Sequence, residues 1–181
     1  MGHAKDLDRI NAALDAALIV LEDFTPGQIA ALMKEGDDPV TEADLRVDAE
    51  MQRILPQAGE GWLSEESVDD HERLGKSRVW IVDPIDGTRE FVQGIPEWCV
   101  SIGLIEDGRP VAGGIHNPAT GERITGSVDI GLIYKGQSPV SGKRSLEGAR
   151  VGASRSEMKR GEWERFAGES FEIVPMGSVA Y

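Results

Sequence analysis

The stretch VWIVDPIDGTREF, residues 79–91, decides how the rest of the chain is read. Its opening run (Val79, Trp80, Ile81, Val82) is short and apolar, as a buried strand requires. The segment from Asp83 to Thr88 then brings in Pro84, Asp86 and Gly87, a set that no strand interior favours. A buried strand therefore delivers two carboxylates to its own C-terminal end, where the chain must turn. Gly87 lets the backbone approach a ligand closely there. Two carboxylates held ~4 Å apart repel by several kcal/mol unless a cation lies between them. Hard oxygen donors of this kind favour magnesium or manganese over zinc. The run Thr88-Arg89-Glu90-Phe91 can open a helix whose free N–H groups face an anion such as phosphate. The combination suggests metal-assisted phosphate chemistry. A structural Asp-Pro turn capped by a second aspartate fits the same residues equally well. A covalent aspartyl-phosphate motif, Asp-x-Asp-Gly-Thr, does not fit, because Asp83 and Asp86 are three positions apart.

Upstream, Gly61-Trp62-Leu63-Ser64-Glu65-Glu66 reads as a second short strand that also ends in acids. Open α/β sheets place their sites at strand C-terminal ends, so the repetition points to a ligand role for one of these glutamates. Before it, Thr41 stands three residues ahead of Asp44 in a capping-box pattern, predicting a helix to about Leu55 with Pro56 just beyond. Of the acids nearby, Asp44 lies on the first helical turn and is retained as a site candidate, whereas Asp37, Asp38 and Asp48 read as solvated. Their spacing excludes an EF-hand. At the N-terminus, Leu7, Ile10, Ala13, Leu14, Ala17, Leu18 and Leu21 lie on one face of a helix from Ala4 to Phe24. Thr25-Pro26-Gly27 stops it, and residues 28–33 are predicted as a further short helical segment. The polar loop 34–39 is expected to be mobile and to order with magnesium.

Downstream, residues 98–134 alternate in strand fashion around turns at Asp107-Gly108 and Thr120-Gly121, which predicts an antiparallel meander. Residues 137–144 form a polar link. A strand at 149–154, a helix at 156–167 and a strand at 171–174 then start a second subdomain. We therefore expect an N-terminal α+β domain over 1–146 and the beginning of a C-terminal α/β subdomain over 147–181. His3, His71 and His116 show no metal-ligand spacing and read as exposed or structural.

The net charge of −13 argues against a nucleic-acid polymer or an anionic membrane as partner. Bound metal ions can still reverse the local field for a phosphate. With Cys99 as its one cysteine the chain has no internal disulfide, and no apolar run approaches the ~20 residues of a membrane span. A cytoplasmic protein is expected, and a homodimer is left open.

Three ordered motifs, Pro39-Val-Thr-Glu-Ala-Asp44, Leu63-Ser-Glu-Glu-Ser67 and Asp83-Pro-Ile-Asp-Gly-Thr88, make the chain similar to the inositol monophosphatase superfamily. Within it, Arg89-Glu90-Phe91 and Ala153-Ser154-Arg155-Ser156 resemble the bacterial 3'(2'),5'-bisphosphate nucleotidases. The resemblance implies a layered α-β-α-β-α sandwich and Mg²⁺-dependent phosphomonoester hydrolysis with two or three ions, Mn²⁺ as a substitute and Li⁺ as an inhibitor. Glu65, Asp83, the Ile85 carbonyl and Asp86 would be metal ligands. Glu65 and Thr88 would activate water, with Asp44 in support. Glu65, Ile85, Asp86, Gly87, Thr88, Ser154, Gly177 and Ser178 would contact a small phosphorylated substrate. The implied substrate is adenosine 3',5'-bisphosphate, with inositol monophosphate or histidinol phosphate as alternatives. The family's Trp-Asp-x-Ala-Ala-Gly motif has no counterpart in these residues, so the C-terminal part of the fold is expected to be incomplete. A catalytically incomplete regulatory protein on the same fold is the non-enzyme alternative.

Overall fold

The computed structural model describes residues 2–33, 39–135 and 145–177. The expectations for the loop 34–38, for the link 137–144 and for Ser178 lie outside these residues. The periodic N-terminal segment forms helix α1 (Ala4–Leu21), and its stripe from Leu7 to Leu21 is buried apart from the half-buried Leu18. The predicted helix over 28–33 is not formed. Gly27, in a left-handed conformation, donates its N–H to the Phe91 carbonyl at 3.0 Å. The chain then runs extended into β1 (Leu32–Met33), which pairs with β2 (Pro39–Val40). Helix α2 (Glu42–Ile54) starts at the Thr41 capping box as expected and buries Ala43, Val47 and Met51.

Strands β3 (Gly61–Ser64), β4 (Arg78–Asp86), β5 (Cys99–Glu106), β6 (Arg109–Asn117), β7 (Glu122–Ser127) and β8 (Gly131–Lys135) form one sheet in sequence order. The β3–β4 pair is parallel and the rest is antiparallel, so the predicted meander is present. Helices α1 and α2 pack on one face, where their apolar stripes meet Trp80, Val82, Ile102 and Leu104. Gly114 permits this close approach, since a Cβ there would stand 2.6 Å from the Ile10 side chain. The opposite sheet face leaves Ile81, Ile124 and Leu132 exposed.

Strand β4 runs further than its apolar residues suggest, through Pro84 to Asp86. A register shift between Asp83 and Asp86 absorbs the proline, which has no N–H to give the ladder. Helix α3 (Thr88–Gln93) follows. Strands β9 (Arg150–Ser154) and β10 (Glu172–Met176) form a separate parallel pair. The helix predicted between them is shorter: α4 (Arg155–Lys159) ends before Gly161, whose positive φ of 74° turns the chain. The layered α/β fold is thus present over the described residues.

The sheet end remote from the two aspartates is tied by a polar network. Glu60 accepts hydrogen bonds from both Arg9 Nη atoms, from Arg78 Nε at 2.9 Å, from Trp80 Nε1 at 2.9 Å and from the Gln57 N–H at 2.9 Å. Arg78 also reaches Asp6 at 2.6 Å and Glu106. Burial alone would raise the Glu60 carboxyl, but these donors outweigh it and hold the group at about 2 instead of 4.5. A depressed acid contributes stability that is complete above its unfolded value and is lost as pH falls through the folded one. Unfolding free energy should therefore drop between about pH 4.5 and 2. Glu60→Ala, which removes the carboxylate shared by Arg9, Arg78 and Trp80 and leaves the arginines to Asp6 and Glu106, should cost about 2–3 kcal/mol at pH 7 and flatten that acid limb in urea titrations. Equal acid sensitivity in the variant would assign the limb to other groups.

Candidate active site

Parallel pairing of β3 with β4 brings Ser64 opposite Val82, so both strands end at the same sheet edge. The Glu65 N–H donates to the Val82 carbonyl at 3.3 Å, which places Glu65 beside the end of β4. After the bulge, Asp86 pairs with Cys99 on β5. Gly87 then turns the chain with φ 95° and ψ 38°, a left-handed geometry that glycine adopts without strain. It is also crowded: a Cβ would stand 2.9 Å from the Glu97 carbonyl oxygen and 3.1 Å from Trp98 Cβ. The turn is anchored behind by Phe91 and Trp98, packed edge to face with ring centroids 4.7 Å apart. Main-chain groups of Gly87 and Thr88 are thereby held at the mouth of the turn.

The α2 cap supplies the next part. Asp44 Oδ2 accepts from the Thr41 N–H at 2.7 Å and from Thr41 Oγ1 at 2.6 Å. Its other oxygen accepts from Thr88 Oγ1 at 3.0 Å. The same hydroxyl also lies 2.9 Å from the Ile85 carbonyl oxygen, so it has two acceptors for its one proton. Asp44 is fully buried, and burial raises its pKa against the lowering effect of the Thr41 and Thr88 hydrogen bonds.

Asp83 is the most perturbed group. Burial first, then the negative charges of Glu65 and Asp86, a hydrogen bond shared with Glu65 and the charge of Asp44 push its carboxyl up to about 8. Its Oδ1 is buried without a hydrogen-bond partner. An orphaned carboxylate oxygen facing several acids is an arrangement that a hard cation would relieve. Among the described residues no three His, Cys, Asp or Glu side chains already close around one point. The donor chemistry nevertheless fits such an ion, and Glu65, on an exposed loop, is the group with room to swing toward it.

A cavity of about 230 Å³ opens at this edge, and its lining brings together residues distant in sequence. Of the expected substrate contacts, Glu65, Ile85, Asp86, Gly87, Thr88, Ser154 and Gly177 all line it, whereas Asp44 does not and Asp83 lines a neighbouring cavity with Ser101 and Gly113. Arg89, Glu90, Arg155 and Met176 also line it.

Two functional-looking residues were missed or misread from sequence. Asp48 is not solvated: it is buried, and its Oδ2 accepts from Ser67 Oγ at 2.5 Å, while Ser67 Oγ accepts from Trp62 Nε1 at 3.3 Å. This ties the Glu65 loop to α2, and the spacing of one helical turn from Asp44 is the signal that could have revealed it. Glu97 carried no motif at all, yet it bonds Arg155 at 2.6 Å. His116 is structural: buried, it accepts from Arg123 Nε at 3.2 Å, and burial with the neighbouring arginine pushes it down to about 4. No helix among the described residues is long and apolar enough to cross a membrane.

The model of the inositol monophosphatase family matches residues 5–175. The inositol-1-monophosphatase ImpA of Mycolicibacterium smegmatis is 36% identical over 143 residues, covering 77% of this chain and 50% of that protein. The histidinol-phosphatase of Mycobacterium tuberculosis is 44% identical over 124 residues, 67% of this chain and 42% of that protein. The crystal structure of the extragenic suppressor protein suhB from Bartonella henselae superposes with a TM-score of 0.81 at 25% identity, covering 98% of this chain and 72% of that one. The chain thus spans about half the length of these two curated relatives. The family is one of metal-dependent phosphatases. Matched from Lys5 to Pro175, with the three motifs meeting at one sheet edge, the chain belongs to the inositol monophosphatase family.

Proposed function

We propose that the protein hydrolyses a small phosphomonoester with the help of Mg²⁺ held by Glu65, Asp83, Asp86 and the Ile85 carbonyl. The observation that carries this is the buried, unpartnered Asp83 oxygen set among other acids. A bound divalent cation supplies Lewis acidity to a phosphoryl oxygen and acidifies water. The chain's own groups do the rest. The turn at Gly87 and Thr88 offers main-chain N–H groups to the phosphate. Thr88, having directed its proton to Asp44 or the Ile85 carbonyl, presents an oxygen lone pair to the attacking water. Glu65 accepts the proton from that water, and Asp44 keeps Thr88 oriented.

For the substrate, adenosine 3',5'-bisphosphate draws support from Arg89 and Arg155, which line one cavity and offer cationic charge for a second phosphate. A second reading, inositol 1-phosphate or histidinol phosphate, draws support from the names of the relatives described above. Phosphate release from all three compounds separates the readings, and preference for either of the latter two would exclude the bisphosphate. The non-enzyme alternative predicts no release at all.

Asp83→Asn should lower metal-dependent turnover about 100-fold or more, and Thr88→Ala about 100- to 1,000-fold, with both proteins folded. Near-normal rates in Asp83→Asn would refute the assignment. The raised Asp83 acid gives a further expectation. Its folded pKa of about 8 lies above its ordinary 3.8, so in the metal-free protein the group subtracts stability progressively as pH rises between those values. Asp83→Asn should therefore raise the metal-free melting temperature at pH 8 by roughly 3 °C or more, with little change at pH 4. Adding Mg²⁺ to the parent at pH 7 should release up to about one proton, read by calorimetry in buffers of different ionisation enthalpy. No proton release would show that the acids are not drawn to a cation.

A further inference from the structure

The β9–β10 pair meets the turn of the candidate site at a side chain that the chemistry above does not use. Glu97 lies in the link between α3 and β5. Its Oε2 accepts from Arg155 Nη1 at 2.6 Å and from the Gly177 N–H at 2.8 Å. Arg155 directly follows β9 and Gly177 directly follows β10, so one carboxylate oxygen holds both strand ends where they border the cavity. The same residue touches the other wall through its main chain, because its carbonyl oxygen is what crowds Gly87. Arg155 Nη1 also lies 3.4 Å from Glu90 Oε1 on α3, and a Cβ at Gly177 would run into the Glu90 side chain. The strand end therefore lies close against Glu90, with room at position 177 for glycine alone. Arg155 holds the Glu97 carboxyl below its ordinary range, as expected for a pair formed in the folded state.

We propose that Glu97 is a positioning residue that fixes Arg155 and Gly177 as the leaving-group wall of the cavity, and so selects phosphomonoesters with a leaving group long enough to reach it; this rests on the phosphatase reading above. The wall it holds carries a guanidinium, so the selected leaving group is polar and anionic or rich in acceptors. A short, apolar leaving group would stop before this wall and be indifferent to it.

The test uses the full chain with Glu97→Gln, which keeps an acceptor for Gly177 but drops the charge, and Glu97→Ala, which removes both. Adenosine 3',5'-bisphosphate and phenyl phosphate serve as the long and short esters. In Glu97→Ala, KM for the bisphosphate should rise about tenfold, with less effect in Glu97→Gln and kcat within about twofold. Both constants for phenyl phosphate should stay within about twofold. Hydrogen exchange of the parent and variants provides a readout independent of turnover. The amides of Gly177 and of the β10 end that it anchors should lose about tenfold in protection, while those of α2 are unchanged. Unchanged exchange at these amides, or equal effects on the two esters, overturns the proposal. If the parent hydrolyses neither ester and neither inositol 1-phosphate nor histidinol phosphate, the phosphatase reading fails, and exchange alone decides whether Glu97 holds the wall.

Discussion

Crowded negative charge at the end of a buried strand is the constraint on which this molecule depends. Asp83 sits where burial, Glu65, Asp86 and Asp44 all oppose its ionisation, and one of its oxygens has no partner. A fold selected only for stability would place an apolar residue there, since an uncompensated buried acid costs several kcal/mol. Two structural choices keep the acids in place. Parallel pairing of β3 with β4 sends both acidic ends to one edge, and the bulge before Asp86 turns β4 out of the ladder without unpairing it from β5.

The supports of the site serve the fold at the same time. Asp44 closes the α2 capping box with one oxygen and accepts from Thr88 with the other. Helix start and hydroxyl orientation therefore stand or fall together. The same economy recurs at Ser67, which accepts from Trp62 on β3 and donates to Asp48 on α2, fixing the loop that bears Glu65. A site built this way is rigid behind the turn and adjustable at Glu65, the exposed member. That distribution suits a site in which, among the described residues, no three such side chains already close around one point.

What was legible in the sequence was local or periodic. The α1 stripe, the Thr41 cap, the strand ends at Glu65 and Asp83 and the meander after Trp98 each announce themselves within a dozen residues. The family motifs extended that reading to Thr88 and Ser154, which the fold brings to one cavity. The errors came where tertiary context overrode local pattern. Residues 28–33 carry helical spacing, but the Gly27 bond to Phe91 and the β1–β2 pairing draw them out straight. Pro84 argued for the end of β4, yet a bulge let the strand continue. Asp48 and Glu97 were invisible because their partners, Ser67 and Arg155, lie 19 and 58 positions away.

The overall charge sharpens what the cavity can bind. A protein of net charge −13 repels a phosphate dianion at long range, and the cavity itself adds Glu65, Asp86 and Glu90 to its lining. Arg89 and Arg155 stand against these three acids, and Arg155 is already bridged to Glu97 and Glu90 through Nη1. Taken as side chains alone, the lining is net acidic and would favour a cation over a phosphate. These three acids against two arginines leave an excess of one negative charge, so a single divalent ion at the Asp83–Asp86 turn would reverse it and make the lining attractive to an anion. Under the reading proposed above, cations would therefore come first or together with the phosphate. Arg89 and Arg155 line the same cavity beside Glu90, and under the reading proposed above they would be the cationic groups left to meet the leaving group.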